Sequence, residues 1–230
     1  MAKSQIIKDL ANGTVDLHTS LKRAKVIFQE IGSEDLSRWV RNELEGYKDK
    51  EDVPEYRKVR GSLVGCYIAG GVKCENVAIP TNNVDENVVN GLLVNYAKQS
   101  VFTLQHAIAE NHSFERPLVD YECKYLSQRT GCYIYKASVQ TDISTIVDIL
   151  PQVESILMEL LCYIEKQFGN LDDLDIDIDS KSEREMKEIA DHICVIIYND
   201  QSVTIGDKNK IKDSTIASKI SDGLKKIQKD

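Results

Sequence analysis

An α+β fold, a mainly helical body with a small antiparallel sheet and a C-terminal β tail, is predicted by three patterns in this sequence. Apolar residues recur at three- and four-residue steps through the first fifty positions. A β-branched, glycine-rich stretch occupies residues 59–80. A wide apolar helical face then extends over residues 146–168. The chain has 230 residues, enough to bury a sizeable core, and its 42% apolar and 29% charged residues are the proportions of a folded protein. The formal charge of -8 repels phosphate backbones, so nucleic acid is not an expected partner, although a local basic patch would escape this count.

Leu17, Leu21, Ala24, Ile27, Phe28 and Ile31 trace one helical face that Gly32 stops. Ser33 then offers an N-cap, with Glu34 and Asp35 in the first turn where the helix dipole favours acids. Leu36, Trp39, Val40 and Leu44 form the next inward stripe, ending at Gly46. Neither helix buries its stripe alone, so the two are expected to fold back as an αα-hairpin. Residues 59–80 read as two strands joined at Gly70-Gly71. Gly61, Gly65, Gly70 and Gly71 do not form a phosphate loop, because no Lys-Ser/Thr follows them and no helix starts at the last glycine.

Asp85 caps one long helix carrying Val88, Leu92, Ala97, Val101, Leu104 and Ile108 to about Asn111. Residues 120–126 have no decisive period, and Gly131 ends them. Residues 132–139 alternate as a strand does, with Ile134 placed to pair with the hairpin. Thr141 or Asp142 opens the longest helix, whose apolar face runs through Ile149, Val153, Leu157, Leu160 and Ile164 to Gly169.

Chemistry-bearing residues are sparse. Cys66, Cys74, Cys123, Cys132, Cys162 and Cys194 contain no Cys-x-x-Cys pair, and the chain opens Met-Ala-Lys-Ser without an apolar signal segment. These cysteines are therefore expected reduced and buried in a cytoplasmic protein, with no transmembrane segment. His18, His106, His112 and His192 show no HExxH or HxH spacing, so neither a metal nor another cofactor is expected. A calcium loop beginning at Asp175 fails at Ser180 and Met186, where glycine and a bidentate glutamate are required. Residues 171–182 read instead as a solvated acidic linker.

The stretch Leu36-Ser-Arg-Trp-Val-Arg-Asn-Glu-Leu-Glu-Gly-Tyr47, followed by Val53-Pro-Glu-Tyr-Arg57, is the most specific in the chain. Trp39 and Glu43 stand one helical turn apart and share a face. With Tyr47 and Tyr56 they form either a polar-rimmed aromatic pocket or a core cluster in which Glu43 accepts hydrogen bonds and pairs with Arg57 or Arg60. This stretch resembles the N-terminal part of the AbiTii domain, with Trp39, Glu43, Leu44, Gly46, Tyr47, Pro54, Tyr56 and Arg57 standing where that pattern expects them. Residues 146–165 are similar to its later helix, down to the closing glutamate, Glu165. The resemblance covers about residues 17–169 and implies a fold and a setting in bacterial abortive infection and phage defence. It brings no active-site residues.

The remainder divides the chain into a 1–170 body, the 171–182 linker and a 183–230 assembly tail. Cys194-Val-Ile-Ile-Tyr198 reads as a strand. Beyond it, Ser202-Val-Thr-Ile-Gly-Asp207 is echoed by Lys208-Asn-Lys-Ile-Lys-Asp213, with Ile205 and Ile211 six apart. Such rungs need at least about three stacked copies to bury their apolar residues, which other subunits would supply. Val203, Ile205, Ile211 and Ile216, with a short seam of Ile220, Leu224 and Ile227, are the expected oligomerisation residues of a trimer or dimer. A tail packed as a hairpin on its own body is the competing arrangement. The functional expectation is a non-enzymatic interaction component of phage defence, contacting itself and a defence-system or phage protein. A metal-dependent nuclease using Asp175, Asp177, Asp179 or Glu183 is the alternative.

Overall fold

The computed structural model describes residues 2–174 and 176–198. In chain order the elements are α1 (Gln5–Asn12), α2 (Leu17–Ile31), α3 (Glu34–Glu45), β1 (Lys58–Arg60), β2 (Ser62–Ala69) and β3 (Val72–Ala78). There follow α4 (Glu86–Leu93), β4 (Val94–Tyr96), α5 (Val101–Ala109), β5 (Phe114–Pro117), α6 (Asp120–Thr130) and β6 (Tyr133–Thr141). The last are α7 (Ile143–Val147), α8 (Ile149–Phe168) and α9 (Glu183–Tyr198). Two short 3-10 turns, Lys50–Asp52 and Glu55–Arg57, lead from α3 into β1.

Helices α1, α2, α3, α5, α7 and α9 form one layer around α8. Val153, Leu157, Leu160, Leu161 and Ile164 of α8 are fully buried among Ile6 and Leu10 of α1 and Leu21, Ala24, Ile27 and Phe28 of α2. The αα-hairpin turns at Gly32, left-handed with φ 69°. The Ser33 hydroxyl accepts from the Leu36 N–H at 3.4 Å, with Glu34 and Asp35 in the first turn.

The second layer is an antiparallel sheet in the order β3-β2-β6-β5. Gly70 and Gly71 both have positive φ, 56° and 82°, as a two-residue hairpin turn requires, and Ile134 pairs with Tyr67. Leu63, Tyr67, Ile134 and Val139 face Leu126 of α6 in a separate small core. Where β5 ends, α6 shields the edge of β6, for the Ile134 N–H donates to the Ser127 hydroxyl at 3.0 Å. β1 pairs with β4 as a short two-stranded ribbon between the layers.

Four expectations are corrected. The helix predicted from Asp85 to about Asn111 is broken, because Val94–Tyr96 extends to pair with β1 and a new helix starts under a Ser100 cap. The longest helix is interrupted at Asp148; Pro151 has no N–H and its ring clashes with a carbonyl four residues back, so it fits only in a first turn. The strand expected at Cys194–Tyr198 is helix. Ile189, Ile193, Ile196 and Ile197 all face the main core, and burial of that helical stripe outweighs β propensity. The stretch 171–182 is not simply a solvated linker, since Leu171 and Ile176 lie in the same core. The C-terminal β tail expected beyond Tyr198 lies outside the described residues.

Glu165 closes the body by clasping the N-terminus. Its carboxylate accepts from the Ser4 N–H and hydroxyl, both at 2.6 Å, and from the Lys3 ammonium, while the Ser4 hydroxyl accepts from the Leu171 N–H. Because α9 belongs to this core, Ile193→Ala should cost about 2–5 kcal/mol in urea unfolding. A change below about 0.5 kcal/mol would detach α9 from the body.

Candidate functional site

The residues of the 36–57 motif converge on one carboxylate. On α3, Trp39 and Glu43 face inward one turn apart, Glu43 with no exposed surface. Glu43 Oε1 accepts from the Tyr47 hydroxyl and the Tyr56 hydroxyl, each at 2.6 Å, and from Arg57 Nε at 3.0 Å. Arg57 Nη2 donates to the other oxygen, Oε2. The Trp39 indole N–H donates to the Tyr56 hydroxyl at 2.9 Å, and the Arg57 guanidinium lies 5.0 Å from the centre of the Tyr47 ring. Arg57 is itself fully buried.

Arg57 also fixes the backbone opposite. Its Nη1 donates to the carbonyls of Ala97 and Gln99, both at 2.8 Å. A carbonyl inside a helix is taken by its own ladder, so these two are available only because the chain unwinds between α4 and α5. Gly46 has φ 93°, a value that side chains rarely adopt, and a Cβ there would stand 2.8 Å from the Lys98 carbonyl. That same carbonyl accepts from the Tyr47 N–H at 2.7 Å. Leu44 packs against the main core, and the carbonyl of Pro54, just ahead of the second 3-10 turn, accepts from the Arg57 N–H at 3.0 Å.

Electrostatics follow from burial. Burial, then the charge of Glu43, pushes the hydroxyl pKa values of Tyr47 and Tyr56 above the ordinary tyrosine value. For Arg57 burial acts downward, but the charge and hydrogen bonds of Glu43 outweigh it and hold the guanidinium above its usual value. With both oxygens occupied and no exposed surface, the carboxylate has no opening through which to meet a substrate.

The remaining chemical groups are dispersed. His18 packs beside Phe102, His106 and His112 each reach Glu110 at 3.3 Å, and His192 stacks on Tyr163. All six cysteines are free thiols. Cys194, on the α9 face that meets α3, contacts Asp35 at 3.3 Å, and burial with that acid pushes its thiol pKa up to about 12. Among the acids of the nuclease alternative, Asp177 caps a 3-10 turn by accepting from the Ser180 N–H, Asp179 is exposed and Glu183 opens α9. Asp175 lies outside the described residues. Among the described residues, no three His, Cys, Asp or Glu side chains converge as metal ligands. No described helix is long and apolar enough to cross a membrane. Val203, Ile205, Ile211, Ile216, Ile220, Leu224 and Ile227 also lie outside the described residues.

The profile of the AbiTii family matches residues 4–191, which takes in both layers and most of α9. The chain belongs to the AbiTii family. Membership points to bacterial abortive infection and phage defence. No curated protein and no solved structure matches the chain. The AbiTii match runs beyond the 17–169 span of the resemblance at both ends, taking in α1 with its Ser4 clasp and α9. The carbonyl partners of Arg57 were invisible in sequence, because a backbone acceptor has no side chain to announce it.

Two outcomes follow from this cluster. Trp39→Ala removes a buried indole and a donor to Tyr56, and should cost about 3–5 kcal/mol in urea unfolding. An unchanged midpoint would place Trp39 outside the packing. For pH, the folded chain holds the protons of Tyr47, Tyr56 and Cys194 more tightly than the unfolded chain does. That contribution is complete below the unfolded values and is progressively lost as pH rises above about 9, where the unfolded thiol and then the unfolded hydroxyls ionise. The urea midpoint should therefore fall between about pH 9 and 11, whereas a flat profile would contradict the burial of these groups.

Proposed function

We propose that this AbiTii protein is a non-enzymatic component of bacterial phage defence that works in the cytoplasm through protein contacts and self-associates through residues 199–230. The observation that carries the non-enzymatic reading is the internal use of the motif's polar groups. Glu43 and Arg57 satisfy each other, the two tyrosines and two carbonyls, and both are sealed from solvent. The motif Trp39, Glu43, Leu44, Gly46, Tyr47, Pro54, Tyr56 and Arg57 then serves as scaffold, and function falls to surfaces outside it. The proposal leaves α9 out of the self-associating segment because its isoleucines are buried in the body core. It rests on the spacing of the apolar tail residues, which are too few to close a core in one chain.

Two experiments test this reading. A chain carrying Asp175→Asn, Asp177→Asn, Asp179→Asn and Glu183→Gln together should still protect cells against phage. Lost protection in a variant with unchanged circular dichroism and melting would favour the nuclease. Deletion of residues after Asn199 should yield a smaller species by light scattering with its helical content retained; an assembly of unchanged order would remove the tail from the interface.

A further inference from the structure

The outermost strand of the sheet, β3, pairs only with β2 among the described residues. All its residues are exposed except the half-buried Cys74, and Val72 retains 64% of its surface. The Gly70-Gly71 turn closes on the Ala69 and Val72 pair. In a two-residue hairpin that first pair is hydrogen-bonded, so Val72 and Cys74 direct their backbone groups to β2 while Lys73 and Glu75 direct theirs outward. The side chains of Lys73 and Glu75 share one face, bridge at 2.5 Å and are 63% and 61% exposed.

These four residues are self-complementary. If two copies of β3 run antiparallel about Cys74, Lys73 of each lies directly opposite Glu75 of the other, and the outward N–H and C=O groups of both residues are satisfied. A two-fold contact of this kind applies the same patch twice. Free edges are commonly blunted by an unmatched lysine or by a bulge. Here the lysine comes with its own counter-charge two residues on, and the bulge comes after it. Past the Tyr67–Cys74 pair the register slips, Glu75 and left-handed Asn76 (φ 51°) together standing opposite Cys66 before Val77 and Ala78 pair with β2 again, so the self-matched stretch is residues 72–75. The other edge strand is no equivalent, since β5 has only four residues and ends at Pro117, which has no N–H to offer a partner.

We infer that β3 is an interface for a second copy of this chain, joining two sheets edge to edge. It stands independently of the tail contact and raises the order of whatever assembly the tail forms. Sedimentation velocity of the full-length protein at increasing concentration tests it. Lys73→Glu leaves an all-acidic edge and Glu75→Lys an all-basic one, so each alone should weaken this association about tenfold by setting like charges opposite. An equimolar mixture of the two variants should restore it, as should the double swap K73E/E75K. Unchanged association in both single variants overturns the proposal and leaves the Lys73–Glu75 bridge as an edge-blunting pair only. So does a loss that neither the mixture nor the double swap reverses. Assembly through the tail is read separately, as a species that persists in both single variants, ignores mixing and vanishes on deletion after Asn199.

Discussion

A carboxylate and a guanidinium placed together where water cannot reach them constrain the rest of the structure. Removing either charge from water costs several kcal/mol, and mutual attraction offsets this only if the remaining donors and acceptors are also satisfied. Glu43 therefore needs Tyr47 and Tyr56, and Arg57 needs the carbonyls of Ala97 and Gln99. Those needs bind the end of α3, the 3-10 turns and the chain between α4 and α5 into one unit. They also account for the left-handed Gly46, where any side chain would press on the Lys98 carbonyl.

Glu165 does comparable work at the far end of α8. It takes three donors from Lys3 and Ser4, and Ser4 in turn takes the Leu171 N–H, so the first and last parts of the body are held at one place. Both acids stand in segments that match the family pattern, and both act as acceptors for chain segments brought from elsewhere. The two segments thus mark where the body is tied together. Surfaces free to vary in role, the outer sheet strand above all, lie away from both.

The αα-hairpin was legible because Gly32, Ser33 and the Leu36 stripe are local signals. The Gly70-Gly71 hairpin and its pairing through Ile134 were legible for the same reason. A cation for a buried Glu43 was readable only as Arg57 or Arg60, since both stand at the end of the motif; the choice of Arg57 depends on the carbonyls of Ala97 and Gln99, which carry no sequence signal. The break at residues 94–100 was not, because Val88, Leu92, Val101 and Leu104 keep a helical period across it and the demand that unwinds it comes from Arg57, some forty residues earlier. Cys194–Tyr198 misled for the opposite reason: a β-branched run is a local signal that tertiary burial overruled.

A double-mutant cycle on Glu43 and Arg57 tests the central claim most directly. Urea unfolding would be followed for Glu43→Gln, Arg57→Met and the pair. Each single change leaves a buried partner unmatched and should cost about 3–5 kcal/mol. The double variant removes the stranded charge and should fall short of the sum by about 2–3 kcal/mol. Costs that simply add would contradict the account, for they would mean that the two side chains do not depend on each other.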